Sequence, residues 1–167
     1  DVYKRQVLIT AAPDIIFARD NNGNGQPDVR EVIYTGFAEG NQQHRVNGLE
    51  WGLDNWLHVA NGDSGGTIQA LMSVPMAEQL GGPPLNQPPP VEFSPDWVLG
   101  RKFQISGRDL RIRPNLGAIE TEAGQAQFGR CRDDWGNWFG CNNSNPMWHY
   151  VLSERYVRRN PHVPVGD

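Results

Sequence analysis

Every run of apolar residues in this chain is cut short by a turn residue within a few positions. No apolar period of 3.6 residues persists for three helical turns, so an amphipathic helix has nowhere to form. Alternation of period two is what remains. It marks strands at 14–18, 29–35, 46–51, 56–60, 67–72, 103–106, 110–113, 118–122, 138–141 and 148–152. Asn-Gly, Gly-Asp and Pro-Asn-Leu-Gly steps separate them, and these are hairpin turns. With 19 Gly and 13 Pro among 167 residues, helix interiors would be broken repeatedly. The expected class is all-β, built from short antiparallel hairpins.

Two segments fall outside that rhythm. Residues 73–98 carry Gly81-Gly82-Pro83-Pro84 and Pro88-Pro89-Pro90, the composition of a long surface insertion between strands. At the other end, Asp1-Val2-Tyr3-Lys4-Arg5-Gln6 precedes Val7-Leu8-Ile9-Thr10 without a Met. Residues 1–6 read as a non-native leader on a truncated reading frame, a native strand being the other reading, and 7–167 as the domain. A formal net charge of −4 gives no footprint for nucleic acid. There is no apolar run of about 18 residues, so no membrane span is expected. Cys131 and Cys141 are the only cysteines. A disulfide across the intervening turn and two free thiols are both open, and neither residue lies in C-x-x-C-H, so no c-type haem attachment is expected here.

A weak repeat suggests how the strands are organised. Leu53-Asp54-Asn55-Trp56-Leu57 aligns with Trp135-Gly136-Asn137-Trp138-Phe139 at an offset of 82 positions. Allowing for the insertion, that spacing approaches one or two propeller blades of roughly 40–45 residues each. The chain would then supply about three blades, an arc and not a ring.

Three constellations carry chemistry. Residues 20–31 match a twelve-residue calcium loop, with oxygen-bearing Asp20, Asn22, Asn24, Gln26, Asp28 and Glu31 at the ligand positions and Gly25 at the sharp turn. The β-branched and aromatic flanks place it on a hairpin, and an Asn/Gly-rich turn that binds nothing is the alternative. The second constellation is His44 with Asp63. Antiparallel pairing across the hairpin between them would return the acid to the imidazole. A carboxylate on one ring nitrogen leaves the other as a base. His58, mid-strand beside Trp56, reads as a packing residue, and His149 between Trp148 and Tyr150 as a reserve polar candidate. The third is Gly62-Asp63-Ser64-Gly65-Gly66, which has the form found around the nucleophile of chymotrypsin-like proteases, but nothing else of that pattern is present.

The order of loop, strand, Gly-x-Asp turn, strand and Gly-Asp is similar to that of soluble quinoprotein sugar dehydrogenases and their sorbosone-dehydrogenase-like relatives. Over 7–161 the chain resembles the membrane-bound dehydrogenase domain of planctomycete-type bacteria. The residues that carry this are Arg19-Asp20-Asn21-Asn22-Gly23, Gly40 through Leu49, Asn61 through Gly66, Gly107-Arg108-Asp109, Gln127-Phe128-Gly129-Arg130, Asp133 through Phe139, Asn143-Ser144-Asn145-Pro146 and Trp148-His149-Tyr150. The resemblance implies a six-bladed propeller exported to the periplasm or cell envelope, oxidising a sugar or alcohol with pyrroloquinoline quinone. Electrons would pass to a cytochrome c-type haem domain of the same parent protein. It further implies His44 as general base, Asp63 as its orienting acid and Arg130 as a quinone contact, although the Asn-Pro expected soon after Arg130 is absent. A fragment without the remaining blades would be inactive alone. The rival expectation is a non-catalytic, calcium-stabilised propeller whose Trp- and Asn-rich loops bind carbohydrate or protein.

Overall fold

The computed structural model describes residues 5–71, 80–81, 102–105 and 107–157. Apart from Leu80 and Gly81, the expected insertion at 73–98 lies outside the described residues, as do residues 1–4 and 158–167. The described chain is all-β, with three antiparallel sheets, none closed on itself.

The first sheet has the order β1 (Gln6–Ala11), β2 (Asp14–Arg19), β3 (Val29–Phe37), β6 (Gly66–Ala70), β7 (Lys102–Gln104). Gln6, expected in the leader at 1–6, opens β1 and pairs with Arg19. The second sheet is ordered β4 (Asn47–Trp51), β5 (Leu57–Ala60), β8 (Asp109–Arg113), β9 (Ala118–Glu122). The third holds β10 (Arg130–Arg132), β11 (Trp138–Gly140) and β12 (Trp148–Tyr150). A four-residue helix α1 (Glu154–Val157) follows.

The second sheet is a simple meander except that β6 and β7 are inserted between its second and third strands and pair instead with β3 of the first sheet. Two sheets are therefore clasped by one hairpin. Their facing surfaces share one core, with Ile15, Phe17, Ile33, Tyr34, Phe37 and Ile68 from the first and Leu57, Val59, Leu110, Ile112 and Ile119 from the second. Each fully buried aliphatic or aromatic side chain there contributes about 1.5–3 kcal/mol of transfer free energy. Tyr34 is fully buried and donates its hydroxyl to the Ala118 carbonyl at 3.1 Å, pinning one sheet to the other.

The β4–β5 and β10–β11 hairpins close with turns of the same length, the Gly52 amide donating to the Trp56 carbonyl and the Asp133 amide to the Asn137 carbonyl, so their register aligns at an offset of 81 and not at the 82 of the sequence alignment. β10 was not foreseen, because Arg130-Cys131-Arg132 offers no apolar alternation. Both cysteines are free thiols, Cys131 exposed and Cys141 half-buried. Among the described residues no helix is long and apolar enough to cross a membrane.

Candidate functional site

The segments before β4 and after β5 lie side by side because the hairpin register places Asn47 opposite Ala60. On one of them, Asn41 caps a single 3₁₀ turn, Gln42–His44, accepting from the Gln43 amide at 3.0 Å. His44 ends that turn. On the other, the buried Asn61 anchors the Gly62-Asp63 step. Its side-chain oxygen accepts the Asp63 amide, its side-chain amide donates to the Arg108 carbonyl, and its own N–H donates to Asp109 Oδ1 at 3.0 Å. Gly62 has φ +76 and lies so close to Arg45 that a Cβ would run into the Arg45 carbonyl. Only glycine permits that approach, and the approach is what brings Asp63 beneath the imidazole.

His44 Nδ1 lies 3.3 Å from Asp63 Oδ2, with side-chain exposures of 24% and 40%. The ring is oriented by an acid and still reachable from solvent. Asp63 holds φ +74, a conformation that Asp tolerates better than most residues but that still stores backbone strain. The opposite ring nitrogen, Nε2, faces Gln127 Nε2 at 3.3 Å.

Arg130 lies elsewhere and has other partners. Its side chain is 2% exposed. It stands 3.4 Å from both Asp109 Oδ2 and Glu122 Oε2, donates to the Ala123 carbonyl, and covers the Tyr150 ring at 3.8 Å. It is the centre of a buried charge network in the seam between the second and third sheets, in which Nη1 makes the ionic contacts and Nε has no partner. Burial pushes the Asp109 carboxyl up to about 7, against the Arg130 charge and the amides of Asn61 and Ala126. Glu122 is buried too, which works against its charge, but His58, Arg130 and Arg111 together hold it below the ordinary carboxylate range. His58 does more than pack. Its Nδ1 is 2.9 Å from Glu122 Oε2, its Nε2 is 3.5 Å from Asp54 Oδ1, and its ring stacks on Trp138 at 3.9 Å. Burial opposes protonation of this ring, and the two carboxylates outweigh it, raising its pKa.

The expected calcium loop is folded on its own amides. Asp20 accepts from the amides of Asn22, Gly23 and Gly25, and Asp28 from the Asn21 amide and the Asn22 side chain. Asn22 and Asn24 accept from the amides of Asn24 and Gln26. Those amides hold the Asp20 carboxyl below its usual value, opposed by slight desolvation. Glu31 belongs to β3, opposite Phe17. A Cβ on Gly23 would touch the Arg5 guanidinium, so a cationic side chain already lies against the loop. Among the described residues no group of three His, Cys, Asp or Glu is placed to hold a metal. The all-oxygen donor set suits calcium in kind.

At the far end of the second sheet from His44, a cleft of about 950 Å³ is lined by Leu8, Phe17, Leu49, Trp51, Arg113 and Arg132 among others. Its lining holds no paired acid and base. His149 stacks on Phe139 at 4.9 Å. Sequence reasoning missed three residues that build the site, namely Asn61, Asp109 and Gln127. Each lies inside a segment that carries the family resemblance, but none has a spacing rule that announces its partner.

Fold and site together define an all-β protein with an acid-oriented histidine where two strands of one sheet end. The family is identified by a model described as a domain of unknown function, DUF7133. It matches residues 2–83 and 92–166, and the chain belongs to that family. No curated protein and no solved structure matched the chain.

Proposed function

We propose that the chain is part of a six-bladed β-propeller of the quinoprotein-dehydrogenase kind, in which His44 takes the hydroxyl proton of a sugar or alcohol and Asp63 stabilises the resulting imidazolium. One observation carries this reading: the 3.3 Å approach of His44 Nδ1 to Asp63 Oδ2 in an accessible position. A carboxylate on one ring nitrogen leaves the other as the base, and such a base typically contributes 10²–10⁴-fold to rate. The antiparallel meander of the second sheet, packed face to face on the first, is compatible with blades.

Pyrroloquinoline quinone in such a protein supplies the hydride acceptor. Arg130, packed against Asp109, Glu122 and Tyr150, is assigned no step, and none is routed through the quinone. Calcium on the Asp20–Glu31 loop, where an ion would compete with Arg5, belongs to this proposal as a structural ion. So do export to the periplasm or cell envelope and electron transfer to a c-type haem domain of the parent protein. The test is His44→Ala in the complete parent protein, reconstituted with quinone and calcium and followed by dye reduction. Activity should fall about 10²-fold or more. Unchanged turnover would exclude the base.

A second reading, a non-catalytic carbohydrate- or protein-binding module, is favoured by one feature. Trp135 is 83% exposed on the β10–β11 turn, where a large aromatic surface has no packing role. Carbohydrate binding abolished by Trp135→Ala, with no quinone uptake by the native protein, would select that reading.

A further inference from the structure

We infer that Gln127 caps the His44 base in the resting site, fixes its tautomer, and makes the site selective for a vicinal diol. This deepens the proton-accepting role proposed for His44 and rests on it.

Gln127 is only 2% exposed and is held from several sides. Its amide donates to the Cys141 carbonyl at 3.0 Å, and its carbonyl accepts from Asn47 Nδ2 at 2.8 Å. Its side-chain Oε1 faces the backbone N–H of Asn143 at 3.1 Å. A backbone N–H can only donate, so the atom facing it must be the oxygen, and the NH₂ group must face His44. At 3.3 Å from that NH₂, His44 Nε2 has to be the acceptor and carry no proton. The ring proton is then on Nδ1, aimed at Asp63 Oδ2. Acid and amide enforce the same tautomer from opposite sides of the ring.

The consequence concerns what can bind. A substrate hydroxyl that donates to Nε2 takes the lone pair Gln127 was using, and a buried NH₂ left without an acceptor is unfavourable. A monohydric alcohol leaves it so. A 1,2-diol does not, because one hydroxyl donates to Nε2 while its gauche neighbour, at a separation similar to the two nitrogens, accepts from Gln127. Saccharides and polyols have that arrangement, and simple alcohols lack it.

The test uses the complete parent protein labelled with ¹⁵N-histidine and histidine-detected NMR. At a pH where His44 is neutral, Nε2 should show the shift of a bare nitrogen and Nδ1 that of a protonated one. Titration with cis-1,2-cyclohexanediol should perturb His44 and the Gln127 amide, with an affinity about 10-fold above that of cyclohexanol, the factor of one unpaired buried donor. Gln127→Glu keeps the Asn143 contact but offers Nε2 an acceptor, so Nε2 should gain a proton while Asp63 keeps the one on Nδ1, a change no merely structural role would produce. Gln127→Met should abolish the diol preference. An Nε2-protonated ring in the native chain, an Nε2 that stays bare in Gln127→Glu, or equal affinity for diol and mono-alcohol would each overturn the inference. None of these results depends on turnover, so the dehydrogenase reading stands or falls separately on His44→Ala.

Discussion

Replacing Gly62 by Ala isolates the close approach that assembles the dyad, because a second glycine supplies the control. Gly62 and Gly25 have nearly the same backbone conformation, φ +76 and φ +83. Forcing an alanine into that left-handed region is unfavourable by about 1–2 kcal/mol at either site. The surroundings differ. Nothing lies within 4 Å of a Cβ on Gly25, whereas a Cβ on Gly62 would meet the Arg45 main chain. Moving a backbone out of the way adds about 1–3 kcal/mol, as overpacking does elsewhere. Gly25→Ala should therefore lose about 1–2 kcal/mol and Gly62→Ala about 2–5 kcal/mol. Urea unfolding reads the difference: with m roughly 2 kcal/mol/M, a gap of about 2 kcal/mol separates the two midpoints by about 1 M. Gly62→Ala should also disturb His44, since Asp63 is carried on the displaced turn, while Gly25→Ala should leave the His44 resonances alone. Equal losses in the two variants would refute the argument, because the conformational penalty would then account for everything and the contact with Arg45 for nothing.

Two further outcomes follow from buried polar groups. Asp109 keeps its proton up to about 7 in the folded chain, against an ordinary 3.8, so the folded state binds more protons across that interval. Stability should fall as pH rises through it, by at most about 1.4 kcal/mol per pH unit from this group. His58, with its raised pKa, acts in the same direction at higher pH. Asp109→Asn should flatten the curve between pH 4 and 7, and urea titrations parallel to the native ones would contradict the assignment. Tyr34→Phe removes the bond from one sheet to the Ala118 carbonyl of the next and leaves that carbonyl buried, so it should lower stability by about 1–3 kcal/mol with little change in m. A variant as stable as the native chain would show that the sheets are held together without it.

The charge network in the seam gives Arg130 partners that motif reading does not reveal. In sequence it stands in Gly129-Arg130, where the family resemblance puts a quinone contact. In the folded chain, Gly129 lies against Gly48, whose φ of +64 lets the backbones of the third and second sheets touch. That contact draws Arg130 inward, beside Asp109 and Glu122. A buried guanidinium with two carboxyl groups at 3.4 Å is compensated inside the protein and closed to solvent, and removing both acids would leave it uncompensated.

Period-two alternation and turn chemistry are local properties, so the sequence alone determined the all-β class and most strand positions, from Asp14 in β2 to Trp148 in β12. It also placed His44 and Asp63 together, because a single hairpin between them sets their register and no distant element has to cooperate. Other features depended on which strand meets which. Gln6 is a strand residue only because Arg19 lies opposite it, and β10 forms only because β11 supplies its partner. The β6–β7 hairpin leaves the sheet of its chain neighbours for β3, a choice made by the shared core of Ile68 with Phe17 and Ile33. Gln127 reaches His44 from 83 positions away, and Asp109 holds the Asn61 turn from 48. Contacts across such separations leave no periodic trace in the chain, since the partner is selected by packing and by the need to satisfy buried polar groups, and those conditions exist only after the sheets have come together.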